Sequence, residues 1–148
     1  MKPARPPIGL HLTRASRVVS RAFHEALTAA GGSLPVWLVL LNIKTRQTAN
    51  QRELAEAVGV REATLTHHLN AMETEGLLTR RRSEINRRIH VVELTAAGEA
   101  TFVRLREGAV AFDRRLRRGL TTEEVASLDG LLARLEANVG CGEENSGR

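Results

Sequence analysis

The sequence predicts a mainly α, mixed α+β domain in which four helices, a β-hairpin and two further helices follow one another as α-α-α-α-β-β-α-α. Three observations predict this order. Apolar residues recur at helical spacing on both sides of the middle of the chain, the period changes to two over residues 88–94, and glycines separate the periodic segments. The 148 residues, 42% of them hydrophobic, are enough for one such domain.

The first two helices are predicted at residues 8–30 and from Ser33 through Ile43, with the glycine pair at 31–32 between them. The first helix is amphipathic, and the second is apolar on most of its surface. Residues 1–7 contain three prolines and are expected to form a flexible arm.

The third and fourth helices are short and closely joined. Asn50 is placed to cap the third helix, and Gly59 is placed to end it with a positive φ. The fourth helix is expected from about Arg61 to Glu75, with a buried stripe of Leu65, Leu69 and Met72. Gly76 should end it.

Residues 77–83 and 88–94 are expected to be paired strands around the polar turn Glu84–Arg87. In the second strand, Ile89, Val91 and Glu93 should share one face, and His90, Val92 and Leu94 the other. Two short, tightly joined helices followed by a two-stranded ribbon predict a winged helix-turn-helix, with a DNA-binding lobe at about 34–94.

Two amphipathic helices are expected to follow the hairpin, capped by Thr95 and by Thr121 with Glu124. Their apolar stripes, and that of the first helix, have nothing to cover them in so small a domain. Helices 8–30 and 95–139 are therefore expected to pair two chains into a homodimer. The single domain then spans 8–139, and the polar tail 140–148 is expected to be disordered.

Composition restricts the function. The net charge of +5 and pI near 10.8 favour nucleic acid as a partner. No apolar run reaches about 18 residues, so no membrane span is expected. With one cysteine, Cys141, an internal disulfide is excluded and a cytoplasmic location is expected. The residue types and spacings of a catalytic, metal or cofactor site are absent, so we expect neither an enzyme nor a bound cofactor.

The fourth helix is the predicted DNA-reading element. If its apolar stripe is buried, a face of short polar side chains and one alanine points outward and suits a major groove. Arg61, at the start of the helix, is expected to reach a phosphate or a guanine. His67 and His68 point about 100° apart, which argues against a shared metal ion. The candidate DNA-binding residues in the two helices are Asn50, Gln51, Arg61, Ala63, Thr64, Thr66, His67 and Asn70.

Five arginines concentrate positive charge at the hairpin: Arg80, Arg81, Arg82, Arg87 and Arg88. Only Glu84 is close in the sequence as an acidic partner, so most of this charge is expected to be unpaired and to bind the DNA backbone or a narrow minor groove. The alternatives are a solvated arginine-rich loop and a cluster of salt bridges.

The chain resembles the MarR family of bacterial transcription regulators. The matching stretches are Asn50–Ala55, Val60–Thr66, Leu69–Leu77, Asn86–Arg88, Leu94–Gly98 and Leu120–Glu124. The resemblance covers roughly residues 8–139. Two positions depart from it: Asn86 replaces the usual aspartate before the paired arginines, and Arg61 stands where a capping serine or aspartate is common.

The resemblance implies a triangular homodimer that binds double-stranded DNA at a pseudo-palindromic operator and represses nearby genes until a small aromatic acid binds. Arg14 and Arg17 fall at the matching places for an anion on the first helix. His11 lies one turn away, and Leu34 and Trp37 are expected to form an apolar floor. Alternatively, these arginines form a solvated face or ion pairs between subunits.

Two other functions stay open. A winged-helix protein-interaction module without specific DNA readout is the main alternative, although such a module would usually lack so basic a wing. A duplex-RNA-binding protein is the weaker alternative, and a gel shift that compares duplex DNA with duplex RNA separates the two.

Overall fold

The structure is a computed structural model that describes residues 6–45, 50–85 and 90–140. In these residues the predicted order of elements is confirmed. The elements are α1 (Ile8–Ala29), α2 (Leu34–Thr45), α3 (Gln51–Val58), α4 (Glu62–Thr74), β1 (Leu78–Arg82), β2 (His90–Leu94), α5 (Ala96–Leu116) and α6 (Thr122–Gly140). The two strands form one antiparallel sheet.

The chain divides into two compact units, Met1–Phe112 and Asp113–Arg148. The first holds α1 to α4, the hairpin and most of α5. Its core is built from leucines of α1 to α5 and β1, together with Val39, Met72 and Val92. At its edge Trp37 of α2 stacks on Phe102 of α5, with ring centroids 5.7 Å apart. This core fixes the position of α4.

The β1–β2 register gives each strand an inner and an outer face. Leu78 pairs with Leu94, and Arg80 pairs with Val92. Leu78 and Val92 are buried, so this face points inward. The predicted alternation is therefore confirmed for Val91–Leu94, and Ile89 lies outside the described residues. Asn50 adds an antiparallel bridge to Val91, which ties the start of α3 to the hairpin and which the sequence analysis did not anticipate.

Thr95 and Gly98 fix the start of α5. The Thr95 hydroxyl donates to the Gly76 carbonyl. It also accepts from the Gly98 amide, with 3.1 Å between Gly98 N and Thr95 Oγ1. This confirms Thr95 as the cap. Gly98 packs against the backbone, because a Cβ there would lie 1.9 Å from the Leu77 carbonyl oxygen. Only glycine allows this approach of α5 to the hairpin.

The second unit contains the end of α5 and α6. The capping box predicted at α6 is present: Glu124 Oε2 accepts from the Thr121 amide at 2.8 Å, and Thr121 Oγ1 accepts from the Glu124 amide at 3.1 Å. α6 has no buried residue, and Leu128 and Val139 are 49% and 81% exposed. The predicted flexible arm, apart from its last two residues, and the predicted tail beyond Gly140 lie outside the described residues.

Within the described ranges, no single helix is long and apolar enough to cross a membrane. α1 and α2 meet the length and composition requirement only as a pair, and they are bent by 78° relative to each other.

Candidate nucleic-acid interface

α3, the turn and α4 form a helix-turn-helix. Asn50 caps α3 through its side-chain oxygen, which accepts from the Glu53 amide at 2.9 Å. Gly59 ends α3 in the left-handed region at φ 75°, where a Cβ would be strained. Its amide, and that of Val60, donate to the Ala55 carbonyl at 3.0 and 3.1 Å. These bonds hold the turn in the conformation that the sequence predicts.

α4 turns its polar face outward as expected. Leu65, Leu69 and Met72 are at most 1% exposed, and they pack against Leu54 and the rest of the core. On the other side Ala63, Thr64, His67 and Asn70 are exposed, whereas Thr66 is half-buried. The structure therefore brings together the side chains predicted to read DNA.

Several predicted DNA contacts make local bonds within the helix-turn-helix. The Asn50 side chain is used as the α3 cap. Gln51 Nε2 donates to Thr66 Oγ1 at 3.4 Å, and the Thr66 hydroxyl donates to the Glu62 carbonyl at 2.9 Å. Gln51 and Thr66 therefore join α3 to α4 and help to orient α4.

Arg61 occupies the N-cap of α4 with extended backbone, and its side chain makes no capping bond. A serine or aspartate there would accept from a first-turn amide. Arg61 is instead exposed, together with Glu62, the first helical residue. The departure noted in the sequence thus leaves an uncapped helix start with a cation beside it.

The hairpin corrects the prediction that Glu84 is the only acidic residue near these arginines. Arg80 makes an ion pair with Glu73 of α4, at 2.7 Å between Nη2 and Oε2. Arg81 makes an ion pair with Glu93 of β2, at 2.7 Å between Nη2 and Oε1. Glu84 is therefore not the only acidic partner. The alternative of a salt-bridge cluster holds for these two arginines.

Arg82, Arg87 and Arg88 are the remaining predicted wing contacts. The Arg82 side chain is exposed at the end of β1. Arg87 and Arg88 lie outside the described residues, as does Asn86. Ile85, before them, is 99% exposed. An exposed cation therefore remains at the described end of the hairpin.

The ion pairs shift the pKa of both acids. The hydrogen bond from the Arg80 side chain holds the pKa of Glu73 below its usual value, against the opposing effect of desolvation. Glu93 has a lowered pKa because the Arg81 side chain donates to it, and the same bond raises the pKa of Arg81. Both carboxylates are thus ionised partners of the wing at neutral pH.

Glu73 and Glu93 are the structural residues that the sequence analysis missed. Glu93 shares the outer face of the hairpin with Arg81, which a diagonal comparison across the two strands would have detected. Glu73 lies one helical turn after Asn70, but its proximity to Arg80 depends on how the chain turns back at Gly76.

The predicted ligand residues lie in different environments among the described residues. Trp37 is 8% exposed and is used in the core against Phe102, and Leu34 packs partly against the same core. His11 and Arg14 are exposed on α1. A surface cavity of about 310 Å³ on α1 includes Arg17, with Val18, Arg21, Ala22 and Glu25.

A second cavity, of about 540 Å³, opens near the α1–α2 turn. It is lined by Thr28, Gly31, Gly32, Ser33, Val36, Glu75, Leu77, Thr101 and Arg104. It contains none of the predicted ligand residues. Of the predicted ligand residues, Arg17 therefore lines a surface cavity on α1, whereas Trp37 is packed in the core against Phe102.

No group of three or more histidine, cysteine, aspartate or glutamate side chains is placed to hold a metal ion in the part of the chain that the structure describes. His67 and His68 have ring centroids 5.9 Å apart and tilted. His67 is exposed and His68 is half-buried, as helical geometry predicts for adjacent positions.

The fold and the helix-turn-helix define a winged-helix protein, and comparisons with solved structures agree. CouR, a transcriptional repressor solved with a 23-mer DNA duplex, matches with a TM-score of 0.79 and 28% identity, over 87% of this chain and 92% of that chain. A mutant of MarR from E. coli in complex with operator DNA matches with a TM-score of 0.77 and 24% identity, over 87% of this chain and 93% of that chain.

A third structure concerns regulation of DNA binding of BpsR from Bordetella bronchiseptica by 6-hydroxynicotinic acid. It has a TM-score of 0.74 and 19% identity, over 87% of this chain and 98% of that chain. The model of the MarR family matches residues 33–90, from the start of α2 into β2. The chain is therefore similar to the MarR family: its model matches residues 33–90, and the fold over 87% of the chain matches that of the repressor CouR.

Proposed function

We propose that this protein is a transcription regulator that binds double-stranded DNA as a homodimer, with α4 in the major groove and the β1–β2 wing on the backbone. The observation that carries the proposal is the exposed polar face of α4. Three side chains at most 1% exposed hold its other face in the core, so this surface has a fixed orientation. CouR and the E. coli MarR mutant, which share the fold, are each solved with DNA.

The homodimer is proposed from apolar surface on α1 and α6. Ile8 and Val18 of α1 are 66% and 70% exposed, and α6 has no buried residue. Amphipathic helices of this kind normally bury their apolar side. Segments 8–30 and 95–139 are the proposed dimerisation helices. A two-fold dimer places two reading helices about one DNA turn apart, at a pseudo-palindromic site.

Selection of bound duplexes from a random pool tests the proposal. We expect an enriched inverted repeat with half-sites one turn apart. His67→Ala should change base preference within each half-site, because His67 is exposed on the reading face. Arg82→Ala should weaken all duplexes alike, because a phosphate contact carries no sequence information. Absence of binding at low ionic strength, or equal effects of both variants on every sequence, would contradict the proposal.

We further infer that the regulator is a repressor released by a small anionic ligand. Support comes from the exposed arginines of α1 and the cavity that Arg17 and Arg21 line. DNA binding by BpsR is regulated by 6-hydroxynicotinic acid, an aromatic carboxylic acid. Calorimetry with a panel of aromatic carboxylates should show binding that Arg17→Ala weakens. If none of these acids releases or absorbs measurable heat of binding at millimolar concentration, the proposed ligand regulation is refuted.

A further inference from the structure

We propose that Arg80 is a positioning residue that fixes which group Asn70 offers to DNA, so that Asn70 discriminates against cytosine at the base it contacts. The inference rests on the proposed function, because it takes α4 as the reading helix. It changes the expected role of Arg80 from a backbone contact to a determinant of base preference.

Arg80 is attached to α4 rather than directed at solvent. It pairs across the sheet with Val92, which is 4% exposed, and its own side chain is 20% exposed. Its Nε and Nη2 atoms both donate to Glu73 Oε2, at 3.1 and 2.7 Å. Its backbone amide donates to Glu73 Oε1 at 3.2 Å. Both oxygens of Glu73 therefore hold Arg80 in one place.

The same guanidinium reaches the reading face. Arg80 Nη2 donates to Asn70 Oδ1, and Asn70 is an exposed residue of α4. A guanidinium has donors and no acceptor, so the amide atom that faces it must be the oxygen. This orients the Asn70 amide and leaves its Nδ2 group, a donor, as the group to meet a base.

A donor at this position selects among bases. Guanine, adenine and thymine each present an acceptor in the major groove, whereas cytosine presents only its N4 donor. Two facing donors cannot form a hydrogen bond. An Asn70 amide held by Arg80 therefore disfavours cytosine, while a freely rotating amide could turn its oxygen towards the cytosine N4 group.

The test compares base preferences of purified full-length variants on duplexes that carry each base at every half-site position. In the wild type, one position in each half-site should exclude cytosine. Arg80→Met removes the donors, so cytosine should become tolerated at that position. Discrimination against cytosine should fall by roughly 5-fold or more, which starts at the lower end of what a bidentate base contact provides. Arg82→Met, on the same strand, is the matched control and should lower affinity without altering preference.

Asn70→Asp provides a second measurement that does not depend on the stability of the hairpin. The aspartate keeps an oxygen towards Arg80 and offers an acceptor to DNA, so the preference at the same position should shift towards cytosine. Identical base profiles for wild type, Arg80→Met and Asn70→Asp on DNA that all three bind would overturn this inference alone. A wild-type protein that binds no duplex would refute the proposed function as well.

Discussion

Two neighbouring arginines of β1 have different roles in the β1–β2 hairpin, the wing of the winged helix. Arg80 and Arg81 are adjacent, yet the pleat of β1 sends them to opposite faces and to different acids, Glu73 and Glu93. A count of positive charge in the sequence treats them as equivalent. In the structure, Arg80 joins the hairpin to α4, and Arg81 joins β1 to β2.

Acid should weaken the Glu73–Arg80 ion pair. The folded-state pKa of Glu73 is lowered, so its contribution to stability is fully present above the unfolded value of about 4.3 and is lost as pH falls through the folded value. Glu73→Gln should therefore unfold at a lower temperature than wild type at neutral pH, and the difference should shrink below pH of about 4.

Thermal unfolding at a series of pH values measures this difference. Glu107→Gln is the control, since Glu107 is an exposed glutamate of α5 without an ion pair in the described residues. It should follow wild type throughout. A Glu73→Gln deficit that stays constant into acid would contradict the role assigned to the ionised carboxylate.

Among the secondary-structure elements, the junction between α3 and α4 depends on the backbone conformation of Gly59. α3 must end within one residue for α4 to start at the correct angle, and Gly59 provides that stop at φ 75°. The Cβ of any other residue would meet no neighbour there, so its cost is conformational rather than a clash. The position therefore isolates the effect of turn geometry.

Gly59→Ala should destabilise the protein by about 1–2 kcal/mol, because a left-handed residue with a Cβ is strained by that amount. Gly130→Ala is the control within α6, where the Cβ also meets nothing and φ is not positive. It should be neutral or stabilising by up to about 1 kcal/mol. Denaturant titration gives both values, and equal effects of the two substitutions would argue against the assigned turn.

For the molecule as a whole, the main feature is the exposed apolar surface of two helices. α1 and α6 each carry an apolar side that the single chain leaves in water. A homodimer would cover such surface and would also set the spacing of two reading helices. Stability and DNA binding should therefore both depend on protein concentration.

Leu128→Glu should shift the protein towards monomer in sedimentation velocity, because Leu128 belongs to the apolar stripe of α6 and is 49% exposed in the single chain. A buried unpaired carboxylate in an interface is strongly unfavourable. Ala137→Glu, an exposed position on the opposite side of the same helix, should leave the dimer intact. A wild-type monomer, or equal behaviour of both variants, would refute the proposed dimer helices.

Local signals in the sequence were enough to determine the secondary structure and which face of α4 is polar and exposed. The caps at Asn50, Thr95 and Thr121 and the stop at Gly59 involve residues at most four positions apart, so they are readable from spacing. The stripe of Leu65, Leu69 and Met72 likewise determines which side of α4 is polar, since helical geometry leaves no freedom.

Tertiary structure alone decided the partners of residues distant in the chain. Arg80 with Glu73 and Asn70, Asn50 with Val91, and Trp37 with Phe102 depend on how the elements fold back on one another. The sequence alone predicts Arg80 to be unpaired and Trp37 to be part of the apolar floor of a ligand site, because composition records the type of a side chain and not its neighbours. Hydrogen bonds and packing act over a few ångströms, so only the folded chain determines which residues meet.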